Sequence, residues 1–356
     1  MYNVVSFQFI SRQHIKYLRD ELYDNIKIIE VDVDTFDPTA WGYNRKLIIH
    51  PLFYPFFEGV TREARAKISK LNQCLSKDFR IIAFDTADSD KISKEAVELA
   101  NNVEAVIVPS NFAKEVYEKS GVYKPVHVIP HGIPDEFMTN NKKITHQDLA
   151  KLKELKEKNN FVFVLFQLVH SGERKGCDLF TKAMSIVQKE NPNIIILVKR
   201  LEVLDPYLQL LRQLRCIEIS SYLELDAYRQ LYDLSDITVL TSRGGGFEHN
   251  ALESLARGIP TIVPKAGCFL DYIEYTIPVK ITKNKPIVLP DNPIHVGRGW
   301  EIDVEELAKT ILKVADNLSK YKRRVRRNMK RIWNKYSWRH IVKEIVKILI
   351  KYDFVG

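Results

Sequence analysis

Hydrophobic and polar positions along the chain switch repeatedly between a period of two and a period near 3.6. Short β-branched runs at Asn3–Phe9, Ile26–Asp32, Leu47–Ile49, Arg80–Phe84, Ala105–Val108 and Val126–Ile129 predict strands. Between them, Gln13–Asp24 places Ile15, Leu18 and Leu22 on one helical face. Arg62–Leu75, Ser93–Asn102 and Phe112–Ser120 are the other predicted helices of this half. Strands alternating with helices argue for a parallel sheet covered on both faces. The pattern lapses over Pro134–Asn160, where polar Thr139–Lys143 precedes a charged helix from about His146 to Lys158. This segment is the predicted inter-domain linker.

A second alternating series follows. It runs strand Phe161–Leu168, helix Gly176–Gln188, strand Ile194–Val198, helix Pro206–Leu214, a short strand near Ile217 and helix Asp226–Leu234. Then come strand Ile237–Leu240, a glycine-rich turn, a helix carrying Ala251, Leu252, Leu255 and Ala256, a stop at Gly258, strand Thr261–Val263 and a strand near Val279. Val304, Leu307, Ala308, Ile311, Leu312 and Ala315 mark an amphipathic helix. A last apolar helix holds Ile341, Val342, Ile345, Val346 and Leu349.

Length and charge refine this picture. A chain of 356 residues has room for two cored domains. No apolar run reaches the roughly 20 residues of a membrane span, and Met1–Ile10 lacks the features of a secretory leader. A cytoplasmic location is expected. Cysteines 74, 177, 216 and 268 are scattered, without the paired spacing of a zinc site or a disulfide framework. The net charge of +9 points to anionic partners. Much of it lies in one run: Lys320, Lys322, Arg323, Arg324, Arg326, Arg327, Lys330, Arg331 and Lys335. That run reads as a solvated helix face, a nucleic-acid patch, or a segment resting on anionic lipid at the inner face of a membrane. Trp333, Tyr336 and Trp338 beside it fit either an interfacial helix or packing on another domain.

Two strand-to-helix turns carry candidate chemistry. Thr241–Pro260 reads strand, glycine turn (Gly244, Gly245, Gly246) and helix, which leaves N–H groups at a helix N-terminus suited to a diphosphate. The other reading is a turn that needs glycine for positive φ. His170–Gly176 places Arg174 and Lys175 at a helix start, where two cations are unfavourable unless an anion occupies the turn.

Pro130-His131-Gly132-Ile133, Arg174-Lys175-Gly176 and Gly-Gly-Phe-(x)5-Glu-(x)4-Gly-x-Pro occur in an order that resembles glycosyltransferase family 4. Val106–Phe112 and the Tyr-Ser-Trp within Trp333–Trp338 resemble further family segments, so that the likeness spans roughly residues 80–350. The resemblance implies a GT-B α/β architecture, with two Rossmann-like parallel-sheet domains facing across a cleft. It implies residues 1–140 as an acceptor domain, 141–160 as linker and helix, 161–333 as a nucleotide-sugar domain, and 334–356 as a helix returning to the first domain. It further implies a retaining transferase that moves a hexosyl group from a UDP- or GDP-sugar to a hydroxyl of a glycan, lipid or protein, with no metal or other cofactor. By the same resemblance, Arg174 and Lys175 hold the diphosphate, Gly245, Gly246 and Phe247 approach the donor, Glu253 accepts the ribose hydroxyls, and the loop with Tyr222 and Leu223 reads the base.

The chain also departs from the family. Gly245 stands where the family usually has a first glutamate, and Glu248 is the candidate substitute. Phe7–Arg12 lacks the family's first glycine loop. Asp85 or Asp88 ends the strand where the family often has a donor-facing histidine, and each also reads as a turn aspartate. His131 is placed near the cleft by resemblance and otherwise reads as structural. Two alternatives stay open: a non-catalytic nucleotide-sugar-binding protein, and a basic nucleic-acid binder, the latter the least favoured.

Overall fold

A computed structural model describes residues 5–22, 27–32, 35–53, 63–168, 171–200 and 205–355, without the side chains of 5–7 and 63–69. The chain forms two compact units. One is Met1–Gly132 with Ile287–Arg298 and Tyr336–Gly356; the other is Ile133–Pro286 with Gly299–Lys335.

The first unit begins with α1 (Val5–Leu22), followed by β1 (Lys46–Ile49), α2 (Glu63–Ser76), β2 (Arg80–Phe84), α3 (Lys94–Asn101), β3 (Ala105–Val108), α4 (Asn111–Ser120) and β4 (Val126–Val128). The four strands pair in parallel in chain order. Period-two alternation divides the core. Ile81, Ala83, Val106 and Val108 pack with Leu71, Ala96, Leu99 and Val116 on one face. Ile82, Phe84 and Ile107 face the other way, toward Ile10, Tyr17 and Leu18 of α1. Residues 287–298 form a strap on this unit. Ser93 N donates to Ile294 O, Val296 N to Lys91 O and Asp90 N to Arg298 O.

The second unit contains α5 (Gln147–Asn159), β5 (Val162–Leu168), α6 (Cys177–Glu190), β6 (Ile194–Arg200), α7 (Leu208–Leu211), β7 (Cys216–Ile219), α8 (Leu225–Leu234), β8 (Ile237–Val239), α9 (His249–Ala256), β9 (Thr261–Pro264) and β10 (Ile277–Val279). Two further helices follow, α10 (Val304–Asp316) and α11 (Leu318–Tyr336). The strand order is β10-β9-β8-β5-β6-β7, all parallel. Phe166, Val198 and Val239 join Phe180, Met184, Leu307 and Ile311 in a core under α6 and α10. The closing helix, α12 (Trp338–Lys351), belongs to the first unit and buries Trp338, Ile341, Val342, Ile345 and Leu349 beside α1.

Several expectations are corrected. Residues 5–9, expected as strand, begin α1. The apolar faces of Ile10, Tyr17 and Leu18 fall at helical spacing on the sheet, and packing overrides the local β-propensity. Residues 27–32 form no strand. The predicted helix Pro206–Leu214 shrinks to Leu208–Leu211. The predicted linker at 141–160 is part of the second unit. Thr145 N and His146 N both donate to Gln230 Oε1, Leu149 is buried, and Lys156 pairs with Asp236 at 2.7 Å. Asn3, Val4, Ile26, Arg62 and His170 lie outside the described residues.

Candidate functional site

In the second sheet, β5 is flanked by β6 on one side and β8 on the other. Successive connections therefore leave β5 in opposite directions. Such a reversal opens a crevice outside the carboxyl ends of the strands. The turns that follow β5 and β8 are the two singled out in the sequence, and the structure brings them into contact. Arg174 Nη1 donates to Gly244 O at 3.1 Å, and Arg243 N donates to Arg174 O at 2.7 Å.

Glycine makes this approach sterically permissible. Gly176 caps α6 with φ +67°, and a Cβ there would lie 2.2 Å from Thr241 O. Thr241 Oγ1 in turn donates to Lys175 O and Gly176 O at 2.8 and 2.9 Å. Positive φ among the described glycines falls at 121, 176, 258 and 267, and not in the 244–246 turn. The demand for glycine at 245 is one of space. Its Cβ would lie 2.8 Å from Glu248 Oε1 and 3.7 Å from Arg174 Nη1.

Glu248 is 3% exposed, and its carboxylate accepts twice from Lys175 Nζ, at 2.7 and 2.8 Å. The carboxylate from position 248 thus lies beside the space that a side chain at 245 would enter. Arg243 ties the turns together from behind. It forks onto Asp178 at 2.7 and 2.8 Å, donates to Glu173 O at 2.7 Å and reaches Glu301 at 2.9 Å. Sequence reading missed Arg243, because an arginine in a turn ordinarily reads as solvated.

A family model described as family 4 glycosyltransferase in conflict systems matches residues 111–345. The chain belongs to this glycosyltransferase family. It is 30% identical over 354 residues to uncharacterized protein 356 of Sulfolobus islandicus rod-shaped virus 1, spanning 98% of this chain and 96% of that one. It is also 27% identical over 284 residues to the protein provisionally named glycosyltransferase 45 of Sulfolobus islandicus filamentous virus, covering 77% of this chain and 75% of the relative. Among solved structures, Anabaena HepE in complex with UDP and glucose superposes with a TM-score of 0.61 at 17% identity, covering 82% of this chain and 76% of HepE. At that identity the likeness shows the fold, which is of the GT-B, Rossmann-like kind.

The other residues singled out in the sequence have the following surroundings. Glu253 on α9 is buried and accepts from Tyr232 OH at 2.7 Å. Tyr228 OH donates to Gln167 Oε1 at 2.8 Å, and Gln167 Nε2 donates to Tyr232 OH at 2.7 Å. Burial pushes the Glu253 carboxyl up to about 7, against the opposing hydrogen bonds from Tyr232 and Tyr228. Neither tyrosine nor Gln167 had a sequence signal, since each reads as an ordinary core-facing position. α9 is seated closely on the sheet by small hydroxyls: Ser254 donates to Thr238 at 2.8 Å and accepts from Thr261 at 2.9 Å. Its far end is held by Trp333 Nε1, which donates to Ala256 O at 2.9 Å. Trp333, Tyr336 and Trp338 are therefore packing residues and not an interfacial girdle; the last two are 2% and 0% exposed.

Phe247 packs its ring near His249 and Tyr272, with centroids 5.3 and 6.1 Å away. Tyr222 is exposed while its neighbour Leu223 is buried. That loop is tied down by the buried Lys199, which donates to Ser221 O at 3.1 Å.

Asp85 and His131 belong to the first unit. Asp85 accepts from Phe53 N at 3.0 Å and Thr86 N at 2.7 Å, and burial lifts its carboxyl to about 7. This ties the segment after β1 to the end of β2. Gly132, beside the half-buried His131, is required by packing, since a Cβ there would lie 2.3 Å from the Trp338 ring. Among the described residues, no group of three or more His, Cys, Asp or Glu side chains is arranged to hold a metal ion.

Proposed function

We propose that this glycosyltransferase moves a hexosyl group from a nucleotide diphosphate sugar, with UDP or GDP as the carrier, to a hydroxyl acceptor with retention of configuration. The observation that carries the reading is the meeting of a cationic turn and a glycine turn at the strand reversal, with Arg174 Nη1 3.1 Å from Gly244 O. Two cations and unhindered backbone at a helix start are what a diphosphate needs. The complex of HepE with UDP and glucose supports a nucleotide-sugar donor.

In this reading the C1–O bond to the diphosphate breaks, and its electron pair leaves on a phosphate oxygen facing Arg174 and Lys175. The acceptor oxygen bonds to C1 on the same face, and its proton passes to the departing phosphate. Lys175 and Arg174 supply the positive charge that a divalent ion supplies in metal-dependent transferases, and activity is expected to persist in EDTA. Glu248, beside the space at Gly245, takes the part of the family's first glutamate toward the donor sugar. Glu253 accepts the ribose hydroxyls, the loop at Tyr222 and Leu223 meets the base, and Asp85 and His131 serve the acceptor side.

The test is calorimetric titration of UDP- and GDP-sugars into the protein and its Arg174→Ala plus Lys175→Ala variant. Loss of about 100-fold or more in donor affinity is expected, on the order of two charge-assisted contacts. Unchanged affinity would remove the assignment.

A further inference from the structure

We propose that α11 is a docking face for an anionic lipid bilayer. The helix holds nine lysine and arginine residues between Lys320 and Lys335 and no aspartate or glutamate. Those nine cations equal the whole formal net charge of +9, so the rest of the chain balances to zero. The charge is therefore not a general property of the surface but of one element.

Packing sets which way it points. Val325, Met329, Ile332 and Tyr336 recur at helical spacing and are buried, at 3%, 8%, 0% and 2% exposure. The first three lie within the second unit and mark the inward face of α11, where Lys322 is paired to Asp236 at 2.6 Å. On the opposite side Lys320, Arg323, Arg327 and Lys330 follow each other at intervals of three and four, all exposed. From Lys320 to Lys330 this makes a ridge about 15 Å long on the helix. A shallow hollow of about 610 Å³ on it is lined by Ser319, Lys322, Arg323, Arg326 and Arg327 alone.

The form of this ridge favours lipid over nucleic acid. Proteins that hold single strands stack bases on exposed rings. On α11, Tyr321 is half-buried, Trp333 is bonded to Ala256 O and Tyr336 is buried. Reading a duplex requires a helix to enter a major groove about 8.5 Å deep, whereas α11 has one face buried at Val325, Met329 and Ile332 and offers only the other. A cationic helix face without exposed apolar side chains suits a plane of mobile anionic headgroups that gather around it.

The experiment is co-sedimentation of the full chain with vesicles of phosphatidylcholine, with and without about 30% phosphatidylglycerol. Wild-type protein is expected to bind only the anionic vesicles and to be released by roughly 0.5 M salt. The variant Lys320→Gln, Arg323→Gln, Arg327→Gln and Lys330→Gln should lose partitioning at about fivefold per cation, a few hundredfold together, with an unaltered melting temperature. The wild-type salt dependence provides a readout that needs no variant. Equal binding to neutral vesicles, a variant that still binds, or displacement of the protein from vesicles by duplex DNA at equal phosphate would each overturn the proposal. The assay contains no sugar nucleotide, so its outcome is independent of the donor assignment.

Discussion

Glu253 is surrounded by tyrosine hydroxyls in a buried position, and that environment dictates a pH response. Its carboxyl is raised by burial from 4.5 to about 7 in the folded protein. Between those values the folded form keeps a proton that the unfolded chain has released. The associated stability is fully present below pH 4.5 and is lost as pH rises through 7. Replacing Glu253 by Gln should therefore raise the melting temperature at pH 8 and leave it little changed at pH 4, with a difference of up to about 3 kcal/mol. In the proposed reading the same variant weakens donor binding at pH 8, a separation that thermal melts and calorimetry resolve together. Glu248→Gln removes a buried partner of Lys175, and kcat is expected to fall about 10- to 100-fold with a smaller change in donor KM. These two carboxylates differ in how they could be read from sequence. Glu253 lay in a recognisable spacing. The nearness of Glu248 to the space at Gly245 depends on how the turn folds back, which no spacing encodes.

At the scale of the elements, the two glycines of the turns make contrasting predictions. Gly176→Ala forces a Cβ into left-handed backbone and to within 2.2 Å of Thr241 O. A loss of at least about 3 kcal/mol is expected by urea denaturation. Gly245→Ala meets only the end of the Glu248 side chain and has no positive φ. It should cost less than about 1 kcal/mol of stability while displacing Glu248 and lowering turnover. The strands that frame these turns were legible because buried parallel strands are short, β-branched and bounded by glycine or proline. Residues 5–9 have that composition too, and only the fit of Ile10, Tyr17 and Leu18 to the sheet decides for helix. Arg243 and the Gln167–Tyr228–Tyr232 network were not legible, since their roles come from partners distant in sequence. Arg243, for example, meets Asp178 and Glu301.

For the whole molecule, the decisive fact is that the first unit is discontinuous in sequence. The strap at 287–298 shows no periodicity in the sequence, and its bonds reach main-chain groups at residues 90, 91 and 93 and the side chains of Ser89 and Asp90, some 200 residues earlier, which no local pattern encodes. α12 contributes five buried side chains to the first unit's core. At about 1.5–3 kcal/mol each, their burial is comparable to the total stability of a domain. A chain ending at Lys335 is therefore expected to leave the first unit digestible by protease while the second resists, which gel analysis of the fragments would show.

The same feature sets a timetable for biosynthesis. The first unit opens ahead of the second yet cannot be completed until residues 336–355 have been made, about 200 residues after Gly132. At roughly 5–20 residues per second, Ile82, Phe84 and Ile107 wait some 10–40 s for α12 to cover them. The later unit, whose last residue is Lys335, is free to mature sooner, so the half that emerges first finishes last.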